Sequence, residues 1–312
     1  MNIALYDVDS KIPNLALMKV SKYHKSLGNE VVWYDPLWRD TYDEIYASTI
    51  FKFSDKSGID PKRMKVGGTG WDYSTDLPPE IDSLQPDYSI YNYPHNIGFT
   101  MRGCRFRCKF CVVPQKEGKP YEEHTIDEIW QQRSSDFVVL LDNDFFGNPS
   151  WQKRIDEIRN NKLKVCFSQG LNIRIITDEQ AEALASVNFR NLSGDYKQVH
   201  FAWDQFGRGT ERLIDEGISR CFKAGLKPRQ MAFFVLVGFN TTPEQDMYRV
   251  KKLADYGCDP YVMPYDRQDH YQKNFTRWVN RKWIFKTTSW EDYRKNKRKV
   301  GSFDGQQELA YE

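Results

Sequence analysis

The 312-residue sequence predicts an α/β protein. Short apolar runs alternate with amphipathic stretches, and the alternation comes as two successive series along the chain. Within each series the order is strand, helix, strand, which implies parallel strands joined by right-handed crossovers.

In the first series, Asn2 to Asp7 reads as a strand. Pro13 opens a helix over Asn14 to Ser26, with Leu15, Met18 and Tyr23 at helical spacing and Gly28 as its stop. Glu30 to Tyr34, Glu44 to Thr49 and Met64 to Val66 follow as strands, the last running into Gly67-Gly-Thr-Gly70. Residues 1–92 are thereby expected to form a small Rossmann-like α/β domain. The second series has strands at Ile97–Met101, Phe137–Leu141, Leu163–Ser168, Val199–Trp203, Met231–Val237 and Cys258–Met263. Helices are expected between them at His124–Arg133, Trp151–Arg159, Asp178–Ser186, Glu211–Ala224 and Pro243–Tyr256. That is six βα-type units over 93–266, followed by a basic, aromatic extension over 267–312.

Bulk composition sets outer bounds. The 45 basic and 43 acidic residues leave a net charge of +2, so no global field demands nucleic acid. The charge is uneven: from Arg267 on there are 11 Lys and Arg against 6 Asp and Glu. No apolar stretch approaches the ~20 residues needed to cross a bilayer, and Met1-Asn-Ile-Ala opens no targeting signal. The expectation is a cytoplasmic protein with no membrane partner.

Chemistry concentrates in Arg102-Gly-Cys-Arg-Phe-Arg-Cys-Lys-Phe-Cys-Val-Val-Pro114. Cys104, Cys108 and Cys111 are spaced C-x₃-C-x₂-C, with Phe110 just before the last. Structural zinc needs four ligands, usually as two separated pairs, and Cys166, Cys221 and Cys258 stand alone. A disulfide framework does not suit six scattered cysteines without a signal peptide. Three thiolates on one loop can hold three irons of a [4Fe–4S] cubane, which ordinarily takes four cysteines. The fourth iron is then free to take a substrate or cofactor.

This loop resembles the cluster-binding loop of the radical S-adenosylmethionine (SAM) superfamily, C-x₃-C-x-aromatic-C. The resemblance implies a partial (β/α)6 TIM-like barrel for the six βα units, with the chemistry on loops at the strand C-terminal ends. It implies that Cys104, Cys108 and Cys111 are both metal ligands and catalytic, and that the open iron chelates SAM. One electron from an external donor of flavodoxin or ferredoxin type would cleave SAM to methionine and a 5′-deoxyadenosyl radical. That radical would abstract hydrogen from an unidentified substrate.

Groups just past each strand are then the candidates for holding SAM. Family members carry a Gly-Gly-Glu-like motif after the second strand for the SAM amino group; here stand Asp142, Asn143 and Asp144, carboxylates suited to an ammonium or to capping the next helix. After the third strand, Gln169, Asn172 and Arg174 are expected to reach ribose and carboxylate, Arg174 by its bidentate fork. Gly238 and Asn240 follow the fifth strand, beside adenine in the family. Phe110 joins this cofactor-binding set; Trp203, Asp204, Tyr265 and Asp266 are the candidate substrate groups.

The first series resembles the Rossmann-like domain of cobalamin-type and methylthiotransferase-type members. Gly67-Gly-Thr-Gly70 suits either a phosphate cradle or a tight turn. No cysteine precedes Cys104, which disfavours a second cluster, and His24 lacks the D-x-H-x-x-G context of a cobalt ligand. Cobalamin is disfavoured on that ground, while cobalamin held without a histidine is left open. The alternatives to a hydrogen-abstracting enzyme are a cobalamin-dependent radical methyltransferase and a non-catalytic nucleic-acid-binding module with a structural metal. The basic tail, with Phe275, Trp278, Val279 and Trp283, suits either nucleic-acid contact or one amphipathic helix over 271–286.

Overall fold

The computed structural model describes residues 1–207 and 209–300, the side chains of 296–300 excepted. The side chains of the basic run beyond Lys295, and residues 301–312 of the expected extension, lie outside the described residues. The chain divides into two compact units: Met1–Gln169 with Val187–Gly194, and Gly170–Ser186 with the chain from Asp195 on.

The first unit opens with β1 (Asn2–Asp7), α1 (Leu15–Ser26), β2 (Glu30–Trp33), β3 (Glu44–Ser48) and β4 (Met64–Gly67). The strands form a parallel sheet in the order β2–β1–β3–β4. In its centre Ile3, Ala4 and Leu5 of β1 are fully buried, as expected for a strand covered on both faces. Asn14 caps α1 by accepting from the Leu17 N–H, and Gly28 follows the helix at φ +77°. Leu17 and Val20 pack with Leu5 and with Ile81 of α2 (Pro79–Asp82). Met18 faces another way, into a cluster with Ile97, Phe137, Val139 and Cys166.

Those last residues belong to the unit's second sheet. Along the chain come β5 (Asn96–Gly98), β6 (Met101–Arg102), α3 (Val113–Lys116), β7 (Tyr121–Glu122), α4 (Ile126–Ile129), β8 (Phe137–Leu140), α5 (Trp151–Asn160) and β9 (Lys164–Phe167). After α6 (Asp178–Ser186), part of the second unit, β10 (Asn188–Phe189) completes a parallel sheet ordered β10–β9–β8–β5.

Two elements differ from expectation. The strand foreseen over Ile97–Met101 breaks after Gly98, and β6 pairs antiparallel with β7 instead. The Asp142 carboxylate takes the Thr100 and Met101 N–H groups, diverting them from the ladder. The helix foreseen over His124–Arg133 is a single turn, α4, closed by a Thr125–Glu128 capping box. It stops because the Gln132 N–H donates to Asn96 Oδ1 and its side chain reaches the Tyr93 and His95 carbonyls.

The second unit holds β11 (Val199–Ala202), α7 (Thr210–Lys223), β12 (Met231–Val237), α8 (Pro243–Asp255) and β13 (Asp259–Pro264) after α6. The strands pair in parallel in the order β11–β12–β13. α9 (His270–Asn280), α10 (Lys282–Thr287) and α11 (Trp290–Val300) follow. α9 seats on β13, where Asn280 both accepts from the Val262 N–H and donates to its carbonyl. The single helix expected over 271–286 is two: Arg281 leaves helical geometry, so Phe275, Trp278 and Val279 are buried while Trp283 is 75% exposed. Among the described residues no helix is long and apolar enough to cross a membrane.

Candidate functional site

Residues 103–120 form a loop whose ends are joined by β6 and β7, with Met101 opposite Glu122 and Arg102 opposite Tyr121. Gly103 sits at φ +78°, and a Cβ there would lie 2.7 Å from the Lys119 carbonyl oxygen, so the two arms touch at a place only glycine suits. Cys104, Cys108 and Cys111 are partly exposed on this loop, whereas Cys166, Cys221 and Cys258 are buried. The Cys111 N–H donates to the Cys108 carbonyl at 3.0 Å, and the Phe106 N–H lies 3.5 Å from Cys104 Sγ. Phe110 is partly buried beside them.

Burial pushes the Cys104 thiol up to about 11; the Phe106 N–H opposes this, and charge on Asp144, Cys111 and Cys108 adds to it. A bound cationic centre is what deprotonates coordinating thiols outright. Among the described residues no three His, Cys, Asp or Glu side chains gather around a single-ion position. In a cubane each cysteine ligates its own iron, so three thiols on one loop are a donor set that such a cluster can take.

The residues after β8 meet this loop. Asp142, buried, accepts from Thr100 Oγ1 at 2.6 Å, the Met101 N–H at 2.7 Å and the Thr100 N–H at 3.1 Å. Burial pushes its pKa up to about 6 against the pull of those hydrogen bonds. Asn143 Nδ2 donates to Glu117 Oε2 at 2.9 Å, the oxygen that also takes the Gly103 N–H at 2.7 Å. Asp144 receives a fork from Arg105, Nε at 2.6 Å and Nη2 at 3.0 Å. All three therefore have partners inside the first unit, and none caps a helix through its side chain. Farther out, Lys116 reaches the Thr75 carbonyl and Asp76, and Arg102 pairs with Glu123. Glu117 and Glu123 escaped sequence reading because single acids carry no motif; Arg105 was visible only as one of several cations around the triad. Gln169, also in this unit, is exposed and donates to Ser168 Oγ at 3.3 Å.

In the second unit Asn172 Oδ1 accepts from the Arg174 N–H and Nε, and Arg174 Nη1 donates to Gln205 Oε1 at 3.3 Å. Both acceptors are neutral amides, and among the described residues Arg174 makes no ion pair. Trp203 is 1% exposed, and among the described residues its Nε1 and Asp204 Oδ1 are buried without hydrogen-bond partners. Burial raises Asp204 to about 6 while the Leu236 N–H, Arg249 and Arg174 pull it down. The fully buried Arg249 ties this strand end together, donating to the Trp203 and Leu236 carbonyls and to Asp246.

Gly238, at φ +81°, leaves room for the Gln272 amide, which a Cβ would meet at 2.2 Å. Asn240 adopts φ +54°, a left-handed conformation that asparagine tolerates. Tyr265 is half exposed with its ring 4.9 Å from that of Phe239, and exposed Asp266 accepts from the Gln268 N–H. The Gly67–Gly70 turn presses on protein: Cβ atoms on Gly68 and Gly70 would meet the Thr49 and Phe51 carbonyls at 2.2 and 2.6 Å. His24 is buried, with its ring nitrogens against Tyr46 and Asn29.

The family model of the radical SAM superfamily matches residues 99–259, just over half of the chain. The chain therefore belongs to the radical SAM superfamily and is an enzyme of that class, whose members usually bind a [4Fe–4S] cluster and SAM. No curated protein matches it.

Proposed function

We propose that this enzyme binds a [4Fe–4S] cluster through Cys104, Cys108 and Cys111 and uses it to cleave SAM reductively. The observation that carries this reading is the contrast among its cysteines: the three at family spacing are partly exposed on one pinned loop, and the other three are buried. Bound together, cluster and SAM would supply a 5′-deoxyadenosyl radical that takes hydrogen from a substrate, with an external flavodoxin- or ferredoxin-type donor providing the electron. The protein's part is to hold, orient and exclude water.

Cys104, Cys108 and Cys111 would each take one iron, with Phe110 as their apolar neighbour. In the second unit, Arg174 is our candidate for the SAM carboxylate because, among the described residues, its fork hydrogen-bonds only to neutral amides. Asn172, Gly238 and Asn240, together with Gln169 of the first unit, are proposed for the rest of SAM, and Trp203, Asp204, Tyr265 and Asp266 for substrate. The expected domains, 1–92, 93–266 and 267–312, are proposed as functional divisions, with the six strands β5, β8, β9, β11, β12 and β13 as the family's core strands.

Anaerobic reconstitution followed by dithionite and SAM tests the reading. About four irons per chain and release of 5′-deoxyadenosine are expected. A well-folded chain that takes zinc in place of iron, or that holds iron and leaves SAM intact, would overturn it.

A further inference from the structure

The cysteine loop is gripped at separate points by three consecutive residues. Asp142 holds the arm that enters the loop, through Thr100 and Met101. Asn143 holds the far arm through Glu117, whose same oxygen takes the Gly103 N–H next to Cys104. Asp144 holds Arg105, the residue just past Cys104. Gly147 gives an independent sign that the last grip is built in. Its φ is not among the left-handed values, so the backbone does not demand glycine there. A Cβ, however, would lie 2.3 Å from Asp144 Oδ2 and 2.7 Å from Arg105 Nε. The glycine keeps open the space that the pair fills.

We propose that Asn143, Asp144 and Glu117 are positioning residues for the cysteine triad, and that the Arg105–Asp144 pair sets the charge felt at its Cys104 end. The proposal rests on the cluster reading above. It turns the segment after β8 from the expected SAM-amino recognition to bracing of the loop, since its side chains are already committed there.

The charge argument follows from exposure. Asp144 is 5% exposed in its side chain and Arg105 40%, so the carboxylate's charge is weakly screened while the guanidinium also meets water. Together the two nearly cancel. Removing either one leaves a full charge beside a cluster ligand. The potential of an iron–sulfur centre depends on the charge and hydrogen bonding around its sulfurs. Reduction adds negative charge, so an uncovered Arg105 favours the reduced cluster and an uncovered Asp144 the oxidised one.

The test uses reconstituted full-length chain and reads the midpoint potential by EPR-monitored titration. Asp144→Asn should raise the potential, Arg105→Gln should lower it, and the double variant should return close to wild type. Arg105→Lys keeps the charge but loses the fork, and should hold the wild-type potential; if Asp144→Asn folds poorly, Gln against Lys at 105 decides alone. For the mechanical half, Glu117→Ala should release iron to a chelator roughly 10–100-fold faster, with near-UV circular dichroism unchanged. Single variants that shift the potential in the same direction or not at all, with iron release from Glu117→Ala at the wild-type rate, would overturn the proposal. A wild-type chain that binds no cluster overturns the earlier reading instead, so the two failures are told apart.

Discussion

The residues just past β8 and those just past β11 are built to opposite rules. After β8, Asp142, Asn143 and Asp144 each have protein partners. After β11, Trp203 Nε1 and Asp204 Oδ1 are buried with none among the described residues. A buried polar atom without a partner costs about 1–3 kcal/mol, so a fold that keeps two side by side keeps them for a reason other than its own stability. The first strand end directs hydrogen bonds from all three side chains to the cysteine loop and its arms. The second has capacity left over, which suits a group that receives a ligand.

The contrast can be broken most sharply at the triad itself. Cys108→Ala should abolish both cluster loading and 5′-deoxyadenosine formation while leaving the fold intact, because that thiol is partly exposed and outside the core. Next in size, Asp142→Ala should cost about 3 kcal/mol in thermal or urea unfolding, since the Thr100 and Met101 N–H groups lose their shared acceptor. It should also weaken iron retention.

At the second strand end the effects should fall on ligand and spare the cluster. Arg174→Ala should weaken SAM binding by about 1.5–3 kcal/mol, roughly 10–100-fold, measured calorimetrically on the reconstituted protein. The iron content should stay at wild type; a drop would mean that Arg174 serves the loop.

The smallest effect is a gain. Asp204 has its pKa raised from 3.8 to about 6 by burial, so the folded chain holds a proton that the unfolded chain has released. Its contribution to stability is fully present below about pH 4 and is lost as pH rises through about 6. Asp204→Asn should therefore stabilise the chain by about 1–3 kcal/mol at pH 8 and by nothing at pH 4. Equal stability of the two chains at both pH values would show that Asp204 has no such burden, and the comparison would lose one of its terms.

Much of the fold was legible in the sequence because its central strands are nearly uniform apolar runs. Met231–Val237 and Phe137–Leu140 are buried almost throughout and stand out for that reason. The two-residue strands β6, β7 and β10 were not legible, since they are too short to show any period. The triad was legible through spacing. Its bracing was not, because Glu117 and Asn143 meet across 26 residues of chain and Arg105 and Asp144 across 39. Trp283 shows the limit of periodicity: it keeps helical spacing with Trp278, but Arg281 breaks the helix between them and leaves it in water.

Helix α1 has a consequence for how this protein can be cut. Leu17 and Val20 pack with Leu5 of the first sheet, while Met18 packs with Ile97, Phe137 and Val139 of the sheet that leads to the cysteines. One twelve-residue segment is thus mortar on two sides. A fragment beginning after residue 92 would present Ile97, Phe137 and Val139 to solvent and invite aggregation. Expression trials that seek a minimal cluster-binding piece should start at Met1.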